Sequence, residues 1–285
     1  MGSWMKIGHS VVITGGAQGI GYAAARRFLE MGMNVMIADI NEEAMKVALD
    51  GLPDDGGELA GALCDVSDFE QVEKLKETSY STFGEIHCVM NNAGTAMGRA
   101  RPWEDLTTWK KQIDTNLWGI IHGCYAFIPA MLDSGVTGAV INTGSKQGIT
   151  NPTGGCAYNL SKAGVVNYTQ SLAHALRETE ECNLSVHLLV PGFTYSNMIA
   201  QFLPDQPVGA WSCDQVIEFL LNGLNENDFY IICPDNDTPA ELDARRIQWN
   251  ADDLIHNRPA LSRWHPDFLE AYEAFANGSL RQEKL

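Results

Sequence analysis

Thr14-Gly15-Gly16-Ala17-Gln18-Gly19-Ile20-Gly21 is the stretch that decides the fold. It follows a short apolar run at residues 9–14 and opens a segment with apolar residues at helical spacing. Glycines between a strand and a helix allow a tight turn, close approach of backbone to a pyrophosphate, and tight packing of helix on sheet. The helix N-terminus adds N–H donors and a favourable dipole. The competing reading is a glycine-rich turn that holds no ligand, and the residues around it argue against that. Val35-Met36-Ile37-Ala38-Asp39 reads as the second strand, ending on an acid. A carboxylate at that place accepts hydrogen bonds from the adenosine ribose hydroxyls and repels a 2′-phosphate. Ile40 and Asn41 bring no arginine to offset it, so NAD is favoured over NADP.

Outward from this turn, short apolar runs near 9–14, 34–39, 58–65, 86–91, 138–145, 184–190 and 229–233 alternate with longer amphipathic ones. That alternation predicts an α/β fold, a doubly wound Rossmann-type sheet of seven parallel strands. Ser67-x-x-Glu70 and Ser212-x-x-Gln215 read as capping boxes ahead of helices. Residues 1–234 form one NAD-binding and catalytic domain on this reading, and 235–285 a helical C-terminal extension. In the extension, Thr238-Pro239-Ala240-Glu241 reads as a capping box with proline at the first helical position. His265-Pro266-Asp267 starts a second helix that carries Phe268, Tyr272 and Phe275 as an aromatic stripe and ends at Asn277-Gly278. Such a stripe needs a burial site, on its own subunit or on a neighbour.

With 285 residues, 45% of them hydrophobic, the chain can bury a full core. A net charge of −17 argues against nucleic acid or an anionic membrane as partner. The seven cysteines lack Cys-x-x-Cys spacing and fit unpaired thiols in a reducing compartment. No secretory signal is legible and no run reaches the roughly 20 apolar residues of a membrane span, which points to the cytoplasm. The seven histidines show no ligand spacing, and no metal is expected.

The chemistry is carried by Tyr158-Asn159-Leu160-Ser161-Lys162, at the start of a predicted helix. Positions i and i+4 share a helix face, so phenol and ammonium point the same way. A cation beside a phenol is expected to lower its pKa from about 10 and to make it usable as an acid or base near neutrality. Ser145 ends the run from Gly138 and supplies the second hydroxyl. Moving a hydride from a carbinol carbon needs one proton acceptor and one donor that orients the oxygen, and Tyr158 and Ser145 are those two groups.

Thr14-Gly-x-x-x-Gly19-Ile-Gly21, Asn91-Asn92-Ala93-Gly94, Asn116 within Asp-Thr-Asn-Leu-Trp-Gly, Ser145, Tyr158-x-x-x-Lys162 and Pro191-Gly192 stand in the order of the short-chain dehydrogenase/reductase family. Over about residues 8–234 the chain resembles the single-domain branch of that family, mostly NAD(P)-dependent alcohol dehydrogenases and ketone reductases. The resemblance implies that Tyr158 is the acid/base, that Lys162 lowers its pKa and binds the nicotinamide ribose, and that Ser145 bonds the substrate oxygen. It implies that Asn116 holds, through its helix backbone, a water linking Lys162 to solvent. Gly15, Gln18, Gly19 and Ile20 would meet the pyrophosphate, Asp65 and Val66 the adenine, and Asn92, Ala93 and Gly94 would lie along the cofactor, while Asn91 braces the sheet. Pro191 and Gly192 complete the nicotinamide end. The family often has threonine where Ser196 stands here, with Thr194 nearby, and either hydroxyl can bond the nicotinamide amide.

From Phe193 to Trp211 runs a long connection rich in apolar residues, read as a lid or binding loop over a bulky, mostly apolar alcohol or ketone. Thr95, Ala96, Met97, Gln147, Gly148 and residues 151–155 are further candidates for the pocket wall. A homodimer or homotetramer is expected from the resemblance. The rival reading is a catalytically retired NAD-binding sensor or interaction protein, against which the intact Ser145, Asn116, Tyr158 and Lys162 speak.

Overall fold

A computed structural model describes residues 4–53, 56–98 and 101–278. The strands are β1 Ser10–Thr14, β2 Asn34–Asp39, β3 Leu59–Leu63, β4 Cys88–Asn91, β5 Gly138–Thr143, β6 Leu184–Val190, two short strands β7 Thr194–Tyr195 and β8 Trp211–Ser212, and β9 Tyr230–Ile232. The helices are α1 Gly19–Glu30, α2 Glu42–Gly51, α3 Phe69–Phe83, α4 Leu106–Ile113, α5 Gly119–Ser134, α6 Gln147–Thr150, α7 Cys156–Arg177, α8 Asn197–Ala200, α9 Cys213–Glu226, α10 Ala240–Ile255 and α11 Leu269–Ala276. All seven expected strands form one sheet in the order β3-β2-β1-β4-β5-β6-β9, parallel throughout. The order reverses between β1 and β4, and a ligand crevice opens at the carboxyl ends of strands beside such a reversal.

Alternation along the strands sorts the core into two layers. Val11 and Ile13 of β1 face the layer built with Phe28 and Leu29 of α1 and with Leu220 and Leu224 of α9. Val12, between them, faces Val72, Leu75, Phe127 and Met131 of α3 and α5. The period of two sends successive side chains to opposite faces, so both must be apolar when helices cover both. Full burial of each Phe or Leu contributes about 1.5–3 kcal/mol.

Two helix starts differ from expectation. At α3 the cap is Asp68, whose carboxylate accepts from Glu70 N. Ser67 is diverted: its amide and hydroxyl both donate to Asp65 Oδ1, at 2.9 and 2.6 Å. At α10 Pro239 itself occupies the N-cap position without a side-chain cap. Thr238 is held antiparallel to Asp235, and its hydroxyl accepts from Arg246 Nη1 at 3.1 Å. The Ser212 box forms as expected.

The segment 193–211 is more ordered than a bare loop. β7 and β8 pair in parallel, Thr194 opposite Trp211, and the Tyr195 hydroxyl donates to Pro204 O at 2.6 Å. In the extension, Tyr272 and Phe275 of α11 pack on Trp249 of α10, each with ring centroids 5.4 Å apart. Trp249 Nε1 donates to Ser262 Oγ at 2.8 Å, and the Arg258 guanidinium lies 4.3 Å from its ring centroid. Most of the stripe is therefore covered within the extension itself, and its last residues, 279–285, lie outside the described part. Among the described residues no helix is long and apolar enough to cross a membrane.

Candidate active site

The crevice begins at the first turn. Gly15 and Gly19 have φ of +63° and +57°, the left-handed region that glycine enters without strain, and a Cβ on Gly15 would stand 2.8 Å from Ala93 Cα. Gln18, at the N-cap of α1, contributes no side-chain bond. The first amides of that helix, Gly19 and Ile20 among them, are left open to an anion. Thr14 Oγ1 accepts from the amides of Asn92 and Ala93 at 3.0 and 3.1 Å, and Asn92 Nδ2 donates to Thr14 O at 3.1 Å. These bonds join the Asn-Ala-Gly turn to the glycine turn and leave Gly94 exposed in the crevice. Asn91 Nδ2 donates to Asn142 Oδ1 at 2.9 Å, bracing β4 against β5.

Asp39 stands at the end of β2, half-buried, accepting from the amides of Ala17 at 3.3 Å and Asn41 at 3.1 Å. Its carboxylate borders the glycine turn, with no cation paired to it among the described residues. Asp65 is partly engaged by Ser67, and the Val66 carbonyl is bonded to the His122 ring at 2.8 Å.

The four catalytic candidates come from three elements: the π-turn after α4, the turn after β5, and α7. Asn116 sits fully buried in a π-helical turn, Asp114–Trp118, between α4 and α5. Its Oδ1 accepts from Thr95 N at 2.7 Å, while Nδ2 donates to Thr95 O at 2.9 Å and to Ser161 Oγ at 3.1 Å. A π-turn shifts the hydrogen-bond register of a helix and recurs at functional sites. Lys162, 3% exposed, donates from Nζ to Thr143 O at 2.8 Å. Burial pulls its pKa down to about 8. Ser145 is buried, and its Oγ accepts from Gln147 N at 3.2 Å.

Here one expectation is corrected. Burial pushes the Tyr158 phenol above its usual pKa, and a hydrogen bond with Ser145 offsets this only in part. The Lys162 ammonium lies 5.9 Å from the ring centroid and is anchored on Thr143 O, and desolvation is the largest cause of the Tyr158 shift. Spacing brought the two groups together, but it did not set the sign of the shift.

At the nicotinamide end, Pro191 O accepts from Lys146 N at 3.4 Å. Thr194 is buried and donates its hydroxyl to Gly192 O at 3.2 Å, while the Ser196 Cβ lies 3.3 Å from where a Cβ on Gly19 would be. Of the two hydroxyl residues, Ser196 is the one beside the open helix end. A cleft of about 360 Å³ is lined by Gln18, Gly94, Thr95, Ala96, Met97, Met198, Gln201 and Phe202. Of the expected site residues, Gln18 and Gly94 line this cleft, together with the pocket-wall candidates Thr95, Ala96 and Met97. Sequence reasoning missed Thr14, Thr143 and Ser161, which hold Asn92, Lys162 and Asn116 in place, and it missed Lys146 altogether.

The glycine cradle, the open helix end and the set of buried Asn116, Ser145 and Lys162 with half-buried Tyr158 fit a nicotinamide dinucleotide. The family model for short chain dehydrogenases matches residues 9–207. The chain belongs to this family. Its members are oxidoreductases on a nicotinamide-binding fold. It is 34% identical over 193 residues to 3beta-hydroxysteroid dehydrogenase 2 of Eggerthella lenta, covering 67% of this chain and 73% of that protein. It is 30% identical over 222 residues to cyclohexanol dehydrogenase of an Acinetobacter species, covering 74% of this chain and 86% of that one. A short chain dehydrogenase/reductase from Burkholderia phymatum, solved in complex with NAD, superposes with a TM-score of 0.79 at 28% identity, over 88% of this chain and 96% of that chain.

Proposed function

We propose that this short-chain dehydrogenase uses NAD to interconvert a bulky, mostly apolar secondary alcohol and its ketone. The observation that carries the reading is the buried Lys162 one helical turn from Tyr158, anchored on Thr143 O just ahead of the buried Ser145. The bound nicotinamide supplies the hydride acceptor or donor. Ser145 orients the substrate oxygen by a hydrogen bond, and Tyr158 takes the hydroxyl proton on oxidation and returns it on reduction. Burial opposes ionisation of Tyr158 and the Ser145 hydroxyl offsets part of that cost, while the Lys162 ammonium on the next turn of the helix is the nearby cation that favours the phenolate during turnover. Asn116, wedged between Thr95 and Ser161, keeps the wall behind Lys162 rigid and its π-turn backbone free to hold water.

NAD is favoured because Asp39 sets an unpaired carboxylate beside the glycine turn, where a 2′-phosphate would be repelled. Asp65 and Val66 are assigned to the adenine, and Ser196 and Thr194 to the nicotinamide amide. Met97, Met198 and Phe202 support an apolar substrate. The names of two relatives, a hydroxysteroid and a cyclohexanol dehydrogenase, point to a ring alcohol.

A turnover screen with NAD and cyclic secondary alcohols, followed by NADH absorbance, tests the reading. NADH formation that disappears in Tyr158→Phe is the expected result. Tight NAD binding without turnover on any alcohol or ketone would favour the rival, an NAD-binding sensor.

A further inference from the structure

Lys146 directly follows Ser145, and its side chain, 13% exposed, reaches the start of the C-terminal extension. Its ammonium stands 3.1 Å from Asp235 Oδ2 and 2.5 Å from Asp243 Oδ2. Both carboxylates are buried, Asp235 at 7% exposure and Asp243 at 3%. The same Asp235 Oδ2 accepts from the amide of Phe193 at 3.0 Å. Gly192 passes so close that a Cβ there would lie 2.6 Å from Asp235 Oδ2 and 2.9 Å from Lys146 Nζ. Asp235 is pinned in turn by two backbone bonds with Thr238, each 3.1 Å, immediately before α10. Farther along α10, Asn250 Nδ2 donates to Ile149 O at 3.1 Å, gripping α6 directly after the Ser145 turn.

The structure assigns to Lys146 a positioning role: clamped between Asp235 and Asp243, it ties the C-terminal extension to the Ser145 turn and to the Pro191–Phe193 loop, so that the extension sets the catalytic hydroxyl in place. This rests on the reading above, in which Ser145 orients the substrate oxygen. Two observations favour position over stability as the use of the cluster. Burial holds the Asp243 carboxyl above its usual range despite the ammonium beside it, so the group is kept at a cost. And the three charges join three segments distant in sequence: the Ser145 turn, the loop after β6, and α10. Replacing a buried ion pair by apolar groups is often neutral for stability, whereas the geometry it fixes is lost.

The test uses the full chain with Asp243→Asn, Lys146→Met, Lys146→Arg and the Lys146→Met/Asp243→Asn double variant. Asp243→Asn is expected to lower kcat by about tenfold, to raise KM for the alcohol, and to increase the primary deuterium isotope effect, because hydride transfer becomes slower than product release. The double variant should be no worse than Lys146→Met alone, and Lys146→Arg should recover most of the rate. Rates that fall only in proportion to folded protein, with KM and isotope effect unchanged, would overturn the assignment, as would kinetics within about twofold of the parent. Amide exchange keeps the test independent of substrate. In Asp243→Asn and Lys146→Met, residues 146–151 and 193–195 should exchange at least about tenfold faster while β1 and β2 stay protected, and unchanged exchange there overturns the role. A parent protein with no turnover on any alcohol would sink the proposed function and leave the exchange result to decide on Lys146.

Discussion

The two walls of the crevice are built by different means. On one side, the glycine turn, Asp39 and the Asn-Ala-Gly turn are backbone features at strand ends, positioned by β1, β2 and β4 pairing side by side. On the other, the Ser145 turn and the Pro191–Phe193 loop are held by side chains far apart in sequence, with Lys146 and Asp235 89 residues apart. The first wall forms wherever the sheet forms. The second needs the extension as well, since Asp235 and Asp243 belong to it. A binding surface made of backbone tolerates little change in shape, whereas one made of ion pairs can be adjusted residue by residue, which suits a constant cofactor facing a variable substrate.

The sharpest way to break the comparison is Tyr158→Phe, which should cut turnover by about a hundredfold to ten-thousandfold while NAD affinity stays nearly the same. Parallel losses in turnover and in NADH binding by fluorescence titration would mean that the two walls are not separable. Lys162 bridges them, and it is buried as a cation with its pKa drawn from 10.5 to about 8. Below pH 8 both the folded and the unfolded chain carry this charge, and the folded one alone bears the full burial cost, about 3 kcal/mol at 1.36 kcal/mol per pKa unit. Between pH 8 and 10.5 the folded lysine is neutral while the unfolded one still binds a proton, so the cost fades as pH rises. Lys162→Met in the cofactor-free protein should therefore be more stable than the parent at pH 7, with the gap closing toward pH 10.5 in urea denaturation, even as turnover is lost. A gap that does not change with pH would contradict the buried cation.

On the cofactor side alone, kcat/KM with NAD should exceed that with NADP by at least about tenfold, and Asp39→Asn should narrow the difference while Kd for NADH changes less. Equal use of both cofactors by the parent would remove Asp39 from that role. The smallest effect is expected at Ser212, whose hydroxyl accepts from Gln215 N where the substrate-side segment rejoins α9. Ser212→Ala should cost about 1 kcal/mol in thermal or urea unfolding and leave the kinetics alone. A change in KM for the alcohol would show that this wall is shaped by a local cap and not by the long-range ion pairs.

The sequence by itself determined the parallel sheet and the place of the glycine cradle, and it singled out Asp39, Ser145, Asn116, Tyr158 and Lys162 as candidates. Strand and helix periodicities, turn glycines and the i, i+4 spacing are local quantities, and each was legible without knowing the rest of the chain. Only the tertiary structure decided which way the Tyr158 phenol shifts, because burial is a property of everything packed around a ring and here exceeds the offset from the Ser145 hydroxyl. It alone showed the π-turn that carries Asn116, since an i→i+5 register leaves no mark in residue spacing that separates it from an ordinary helix. The capping expectation at Ser67 failed for a related reason: Asp65 competes for its hydroxyl at 2.6 Å, and the motif does not include that competitor. Lys146, Asp235 and Asp243 each read in isolation as ordinary surface charges. They became one buried cluster only when β5, the loop after β6 and α10 were brought together, since the free energy that keeps three charges out of water exists only once all three are in contact.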